Sequence, residues 1–588
     1  MAVLPLQSMD ARSGVDARLE ALDKLQALMD EVAAEKKRHR SNVALKRAIQ
    51  IWRKGDHAGA AKWALRATEE DESSAKAFHV LAMALERMGH LHKALVTYER
   101  AFQLDPEDPE LLINLGLAAW NMKLTEGAEQ MFRLYIAACP DSPLGYNNLG
   151  SVMCDLGQPE AAIETLRHAI NRMPQEAILW NSLATVLAEE GRAEESLIFY
   201  QEAARLEPDF ARAYHNLGYA FQHLGRLEEA LESYDAALER VIDPSERRET
   251  RHSRSICLIG AGRIGEGFRE YEIRNDPRFR AYFHHIVEAP RWTDQDIEGK
   301  RVLLVGEQGL GDEFMFAGIL PDVERAVGET GKLMIAVDER LVPLFRRSFP
   351  KAEVGAYDDR TLVDADGNKA LRLIPFAAKE NKPDLWAPMG SALPHYRKTL
   401  DDFPRRAFLV PDPARVADFR ARLAALPGRK VGLCWRSMML AAKRAKYFSP
   451  IEGWAPVLET PGVSFVNLQY GDCAEELARV ASHGVTVHRM EGLDLKNDID
   501  GVAALSAALD LVISAPTAAA AIAGSVGTET WFVTAGRTWP QMGTAEYPWY
   551  AKTRVFWPEK FGDWDALMPD VSDELEVWAS GAERRPLF

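Results

Sequence analysis

The chain has 588 residues, 71 Lys and Arg against 87 Asp and Glu, and a formal net charge of −16. That length exceeds a single hydrophobic core and predicts three or four folding units, and the acidic balance argues against bulk binding to nucleic acid or to an anionic membrane surface while leaving room for a local basic pocket. No apolar stretch reaches the roughly 18 residues of a membrane span, the opening MAVLPLQSMDAR has no basic leader and long apolar core, and the five cysteines (139, 154, 257, 434 and 473) lack metal-type spacing, so a reduced cytoplasmic protein without a bound metal is expected.

Residues 1–40 are expected as a helical cap or tail. Leu22, Leu25, Met29 and Val32 make an a/d-like stripe that suits a capping helix or a self-association helix. Too few heptads follow to favour self-association, so the cap is the preferred reading, with a homo-oligomer left open. From Ala75 the chain cuts into windows of 34 residues that begin at 75, 109, 143, 177 and 211. The window 143–176 carries Tyr146, Leu149, Gly150, Gly157, Ala162, Ala169 and Pro174, and its neighbours repeat the pattern. Small residues at the eighth and twentieth places let two antiparallel helices approach. Large ones at the fourth, seventh and twenty-fourth fill the gap, and a closing proline ends the second helix. This resembles the tetratricopeptide repeat. Degenerate units at 41–74 and 245–278 extend the array, so 41–278 is expected to be an α-solenoid whose groove takes a protein partner.

A connector at 279–300 leads into a β-rich half. Arg301-Val-Leu-Leu-Val reads as a buried strand running into Gly306-Glu307-Gln308-Gly309-Leu310-Gly311-Asp312. A helix is expected over 314–323, a strand over 332–337 and a helix over 341–347, the doubly wound alternation. The glycines match neither the dinucleotide fingerprint nor a Walker loop. A second lobe starts near 430, with strands at 431–435, 463–469 and 511–514 and a helix over 451–458. A small-residue helix over 517–526 starts just after Pro516, where free N–H groups suit a phosphate.

Several marks together resemble the GT-B glycosyltransferases, in particular bacterial proteins with tetratricopeptide repeats ahead of a heptosyltransferase-like or O-GlcNAc-transferase-like unit. They are Glu307 to Asp312, Asn467-Leu-Gln469, Asp510 to Gly527, Pro548-Trp-Tyr550 and Gly562-Asp-Trp564. Within that group the chain looks most like the flagellin-modifying enzymes of alphaproteobacteria. The resemblance implies an α-solenoid followed by two Rossmann-like lobes, 301–429 on the acceptor side and 430–580 on the nucleotide-sugar side, with a tail at 581–588. It also implies a nucleotide-sugar donor, CMP-linked, and no other cofactor. Many relatives carry Asp-Thr and then a His in the late segment, whereas this chain has Pro516-Thr517 and Ala521.

The resulting expectation is an inverting, metal-independent transfer of a nonulosonic-acid-type sugar to Ser or Thr of flagellin, recruited by the repeats. The resemblance makes Asp312 the base, with Glu307 in reserve on the same loop. Gly309 and Gly311 would let the turn approach the donor. Arg436, Lys443, Arg444 and Lys446 form a basic cluster after a strand, with Lys446 nearest the usual phosphate contact. Gln469 would touch the nucleotide and Thr517 would open the phosphate-binding helix. Trp539, Trp549 and Tyr550 are expected to pack between lobes. The alternatives are an inactive flagellar adaptor, or an enzyme using a UDP-, ADP- or GDP-sugar.

Overall fold

The structure, a computed structural model, describes residues 11–279, 283–364, 367–438 and 442–582. The chain divides into two compact units, residues 1–158 with 363–368, and residues 159–362 with 369–588.

Within the first unit, residues 11–158 are helical. A helix spans Ala11–Trp52, and the helices His57–Glu70, Ala75–Arg87, Leu91–Leu104, Pro109–Asn121, Thr125–Ala138 and Pro143–Asp155 follow. Caps mark the starts: the Asp56 carboxylate accepts from the Gly59 N–H at 2.8 Å, and Asp108 accepts from the Glu110 N–H at 3.0 Å with Pro109 in the first turn. The 34-residue rule has a steric cause here. A Cβ on Gly116 would lie 2.6 Å from the Phe132 ring, so the eighth place must be small where the twenty-fourth is aromatic. The stripe expected as a cap is not one. Leu22, Leu25, Met29 and Val32 are 61, 54, 60 and 44% exposed.

The second unit opens with the helices Pro159–Arg172, Ala177–Glu189, Ala193–Leu206, Ala211–His223, Leu227–Arg240, Pro244–Gly260 and Ile264–Tyr271. The strands are β1 (His284–Ile286), β2 (Arg301–Val305), β3 (Lys332–Val337), β4 (Glu353–Ala356), β5 (Asp358–Asp364), β6 (Gly367–Leu373) and β7 (Leu385–Pro388), then β8 (Arg429–Cys434), β9 (Val463–Asn467), β10 (Val487–His488), β11 (Leu511–Ser514), β12 (Thr530–Val533) and β13 (Thr553–Phe556). One sheet has the order β4-β3-β2-β7, all parallel. Another has the order β10-β9-β8-β11-β12-β13, again parallel, with Leu433 paired to Ile513. The smaller sheet β1-β6-β5 lies apart from these. Numbered within itself, the six-stranded sheet runs 3-2-1-4-5-6 and the four-stranded one 3-2-1-4. These are doubly wound orders, in which the winding reverses beside the first strand. Helices cover both faces, so Val302 to Val305 are all buried and show no alternation.

Three local expectations change. The helix after the glycine turn begins at Leu310, tightens to a 3-10 turn at Ala317–Ile319, and restarts at Leu320–Val327 with Pro321 in its first turn, where a missing N–H costs nothing. The segment expected as a plain connector carries β1. Its Trp292 is buried, and the Trp292 N–H donates to the Trp386 carbonyl of β7 at 2.7 Å. The stretch over 451–458 is a 3-10 turn at Ile451–Trp454 followed by one α turn at Ala455–Leu458.

Candidate functional site

Strands β2, β8 and β11 all end toward one place. The glycine turn follows β2, Ser437 and Met438 follow β8, and Pro516 and Thr517 follow β11. Together they line a cavity of about 740 Å³, within the range of small-ligand sites. It therefore sits outside the carboxyl ends of both large sheets, past β2 and β3 of the four-stranded one and at the winding reversal between β8 and β11 of the six-stranded one. The helices Leu310–Phe316 and Ala518–Ser525 pack on each other beside it. Its apolar wall includes Met315, Ile499, Phe532 and Trp539, and its charged lining is Asp312, Arg340, Arg444 and Lys496.

The glycine turn is held from several sides. Gln308 adopts φ 60°, in the left-handed region, and Gln308 Nε2 donates to the Tyr271 hydroxyl at 2.6 Å. A Cβ on Gly306 would fall 2.5 Å from the Glu313 carboxyl, so that position has no room for a side chain. The Asp312 carboxylate accepts from the Gly309 N–H at 3.4 Å. Burial pushes its carboxyl up to about 6; the Gly309 N–H opposes this and the nearby Glu307 charge adds to it. Glu313, the next residue, is fully buried. It accepts from the Tyr357 hydroxyl at 2.5 Å and from the Asp338 N–H at 3.2 Å. Burial raises its carboxyl to about 7.

In the second lobe, Thr517 precedes the helix Ala518–Ser525 without capping it. Its hydroxyl bonds Ser514 Oγ at 3.2 Å and Cys434 Sγ at 3.5 Å. The N–H groups of the first helical turn are left for another acceptor. Ala521 lines the same cavity. Trp549 is buried among Phe403, Phe316, Trp539 and Phe268, with ring centroids 5.1 to 6.1 Å away, and Tyr550 lies flat on Gly524. Both are packing residues, and Tyr550 also shows an edge to the cavity, as Trp539 does.

The sequence-predicted residues divide. Gly309, Gly311, Asp312, Arg444 and Thr517 come together at the cavity. Glu307 does not belong to its lining: it is buried, ion-paired through both oxygens to Arg274 at 2.8 Å, and accepts from the Gly390 N–H at 2.6 Å. This makes it a structural brace, not a reserve base. Arg436 donates to Glu476 through Nε at 2.8 Å, pairs with it again through Nη2, and reaches the Asp472 carbonyl, so its charge is spent. Lys446 Nζ donates to the Glu189 carbonyl at 2.7 Å, at the end of a repeat helix. Gln469 is buried, with its amide oxygen taking the N–H groups of Trp435 and Arg436 and its nitrogen donating to the Arg436 and Tyr470 carbonyls. It shapes the bend after β8 and has no face left for a nucleotide. The side chain of Lys443 lies outside the described residues. Arg340 and Lys496 were missed. Arg340 follows the end of β3, as Asp312 follows β2, and that shared place past a strand's carboxyl end was the available signal. Its guanidinium pairs with Asp338 at 2.8 Å and donates to the Lys496 carbonyl at 3.1 Å.

Among the described residues, no cluster of three or more His, Cys, Asp or Glu has metal-binding geometry, and no helix is long and apolar enough to cross a membrane.

Comparison with known proteins adds three matches to tetratricopeptide repeat models, at residues 79–143, 186–225 and 211–240. Solved structures with partial likeness include YrrB, described as a TPR protein with an unusual peptide-binding site (25% identity, 31% of this chain and 95% of that one, TM-score 0.25). Another is a thermophilic TPR protein of Thermus thermophilus (26% identity, 31% of this chain and 98% of that one, TM-score 0.28). Protein FlbA of Caulobacter vibrioides is 43% identical over 571 residues, covering 96% of this chain and 94% of its own. A match of that depth along both parts shows that the chain belongs to the FlbA family and joins tetratricopeptide repeats to a body of parallel sheets.

Proposed function

We propose that the chain is a GT-B-type glycosyltransferase that moves a nonulosonic-acid-type sugar from a CMP-sugar to a Ser or Thr hydroxyl of a protein such as flagellin, with the repeats recruiting that acceptor. One observation carries this reading. A single cavity beyond the strand ends of both large sheets places one carboxylate, Asp312, together with Arg340, Arg444, Lys496 and an uncapped helix N-terminus. The cations and the free N–H groups suit a phosphate. The carboxylate, raised toward neutrality by burial, suits proton transfer.

In this mechanism the acceptor oxygen attacks the anomeric carbon as Asp312 takes its proton. The bond from that carbon to the donor phosphate oxygen breaks, and the nucleotide leaves with the electron pair. Charge grows on the phosphate as this happens, so contacts from Arg444, Lys496 and the N–H groups at 518–520 strengthen in the transition state. Arg340 contributes less, because Asp338 already neutralises much of its charge.

The test is a binding screen of CMP-, UDP-, ADP- and GDP-sugars, followed by intact-mass measurement of flagellin incubated with the preferred donor. A mass gain equal to one or more sugar residues, with release of free CMP, is expected. Tight binding of another nucleotide would reassign the donor. Absence of binding and of transfer would leave the adaptor reading, which the apolar Ala521 and Pro516 in the cavity wall favour.

A further inference from the structure

The helix Ala11–Trp52 is 42 residues long, and the repeats hold only its last part. Ala44, Leu45 and Ala48 are buried, whereas every residue from Leu19 to Ala33 is exposed. That free segment is not polar. Leu19, Leu22, Leu25, Leu28, Met29 and Val32 stand 44 to 61% exposed. At 3.6 residues per turn all six fall on one half of the helix surface. Within that half, Leu22, Leu25, Met29 and Val32 alternate three and four apart, the a/d spacing by which one helix seats on another. On the opposite half Lys24 donates to Glu20 at 2.7 Å, an exposed pair four residues apart.

We propose that this face pairs with the same face of a second copy of the chain, in antiparallel orientation about a two-fold axis at Ala27. That axis sets Leu22 across from Val32 and Leu25 across from Met29, so each seam residue finds an apolar partner. Charge selects the orientation. Lys36, Lys37, Arg38 and Arg40 follow the stripe directly. A parallel pair would stack the two clusters of four cations on each other. The antiparallel pair sends them to opposite ends, and sends each copy's repeats away from the other. A patch that pairs with itself closes at two copies and leaves no free end for further growth.

The decisive measurement is sedimentation of the full chain at micromolar concentration. Wild type is expected as a dimer, and Leu25→Glu with Met29→Glu as a monomer of unchanged far-UV circular dichroism, because both positions are exposed. Orientation is read by cross-linking. Chains carrying Leu22→Cys and chains carrying Val32→Cys should form a disulfide-linked pair when mixed, above the wild-type background, and neither should do so alone. A wild-type monomer, or a dimer that survives the double Glu variant, overturns the proposal. Self-cross-linking of the Leu22→Cys chain overturns the antiparallel arrangement. None of these positions lies at the cavity, so the outcome is independent of whether the chain transfers sugar.

Discussion

Asp312 combines two properties that rarely coincide in a surface turn: it lines a large cavity, and its carboxyl sits near 6 instead of the ordinary 3.8. The shift has a sign for both activity and stability. As a base the group must be ionised, so kcat/KM should rise through an acidic limb with an apparent pKa near 6. As a folded-state acid with a raised value, it contributes stability fully below 3.8, and that contribution is lost as pH rises through about 6. Asp312→Asn should therefore lower turnover by about 10²–10⁴-fold, flatten the acidic limb, and make stability less dependent on pH between these values. Rate–pH profiles and melts across pH 4 to 8 read all three. Near-wild-type turnover in the variant would remove Asp312 from the chemistry. Asp312 was legible through the family resemblance of its glycine turn, and Thr517 through its place at the start of a small-residue helix just past a strand end. The sequence did not make the cations legible. Arg436 and Lys446 stand close in sequence to the right strand end. Glu476 and the Glu189 carbonyl, which take them away, come from 40 and 257 residues off. Local pattern carries no trace of such partners.

At the scale of elements, the repeat helices were the most legible part of the chain. Their starts at Ala75, Pro109, Pro143, Ala177 and Ala211 keep the 34-residue interval because a small eighth residue faces a large twenty-fourth one, most tightly at Gly116 against Phe132 and Gly218 against Tyr234. Strand order was not legible, since apolar runs such as 301–305 and 511–514 do not encode which neighbour they join. Nor was the role of the last repeat helix. Tyr271 holds Gln308, and Arg274 holds Glu307, so the end of the array braces the glycine turn. Both members of that ion pair are buried, at 5% and 7% exposure. Arg274→Ala would leave the Glu307 carboxylate without its counter-charge, at an expected cost of about 3–5 kcal/mol. Denaturant unfolding of the second unit should show that loss. Arg274→Met combined with Glu307→Leu should recover much of it, because an apolar pair leaves no charge stranded. A single variant as stable as wild type would mean the pair contributes nothing net.

For the whole molecule, the boundary between compact units falls at Gln158–Pro159 and not at the end of the repeats. Sequence pattern places a natural cut near 278, where the helical rhythm stops. The contacts place later repeats with the sheets: the Gly265 N–H donates to the Lys398 carbonyl at 3.0 Å, and His223 meets the Tyr447 hydroxyl at 3.2 Å. A chain starting at residue 159 is therefore expected to fold and to keep ligand binding at the cavity. A chain starting at 241 would expose the apolar surface that the helices of 177–240 cover, and should melt earlier or aggregate. Thermal melts and calorimetric titration of the two truncations check this, and equal behaviour would show that the helices at 159–240 are dispensable.

That brace limits how such a protein can be rebuilt. Interchanging recognition arrays between homologues is usually attempted where one architecture gives way to the next. Here such a splice would sever Arg274 from Glu307 unless donor and recipient share both residues. A hybrid joined between Gln158 and Pro159 leaves that pair untouched, so new binding specificity is best grafted onto the amino-terminal repeats alone.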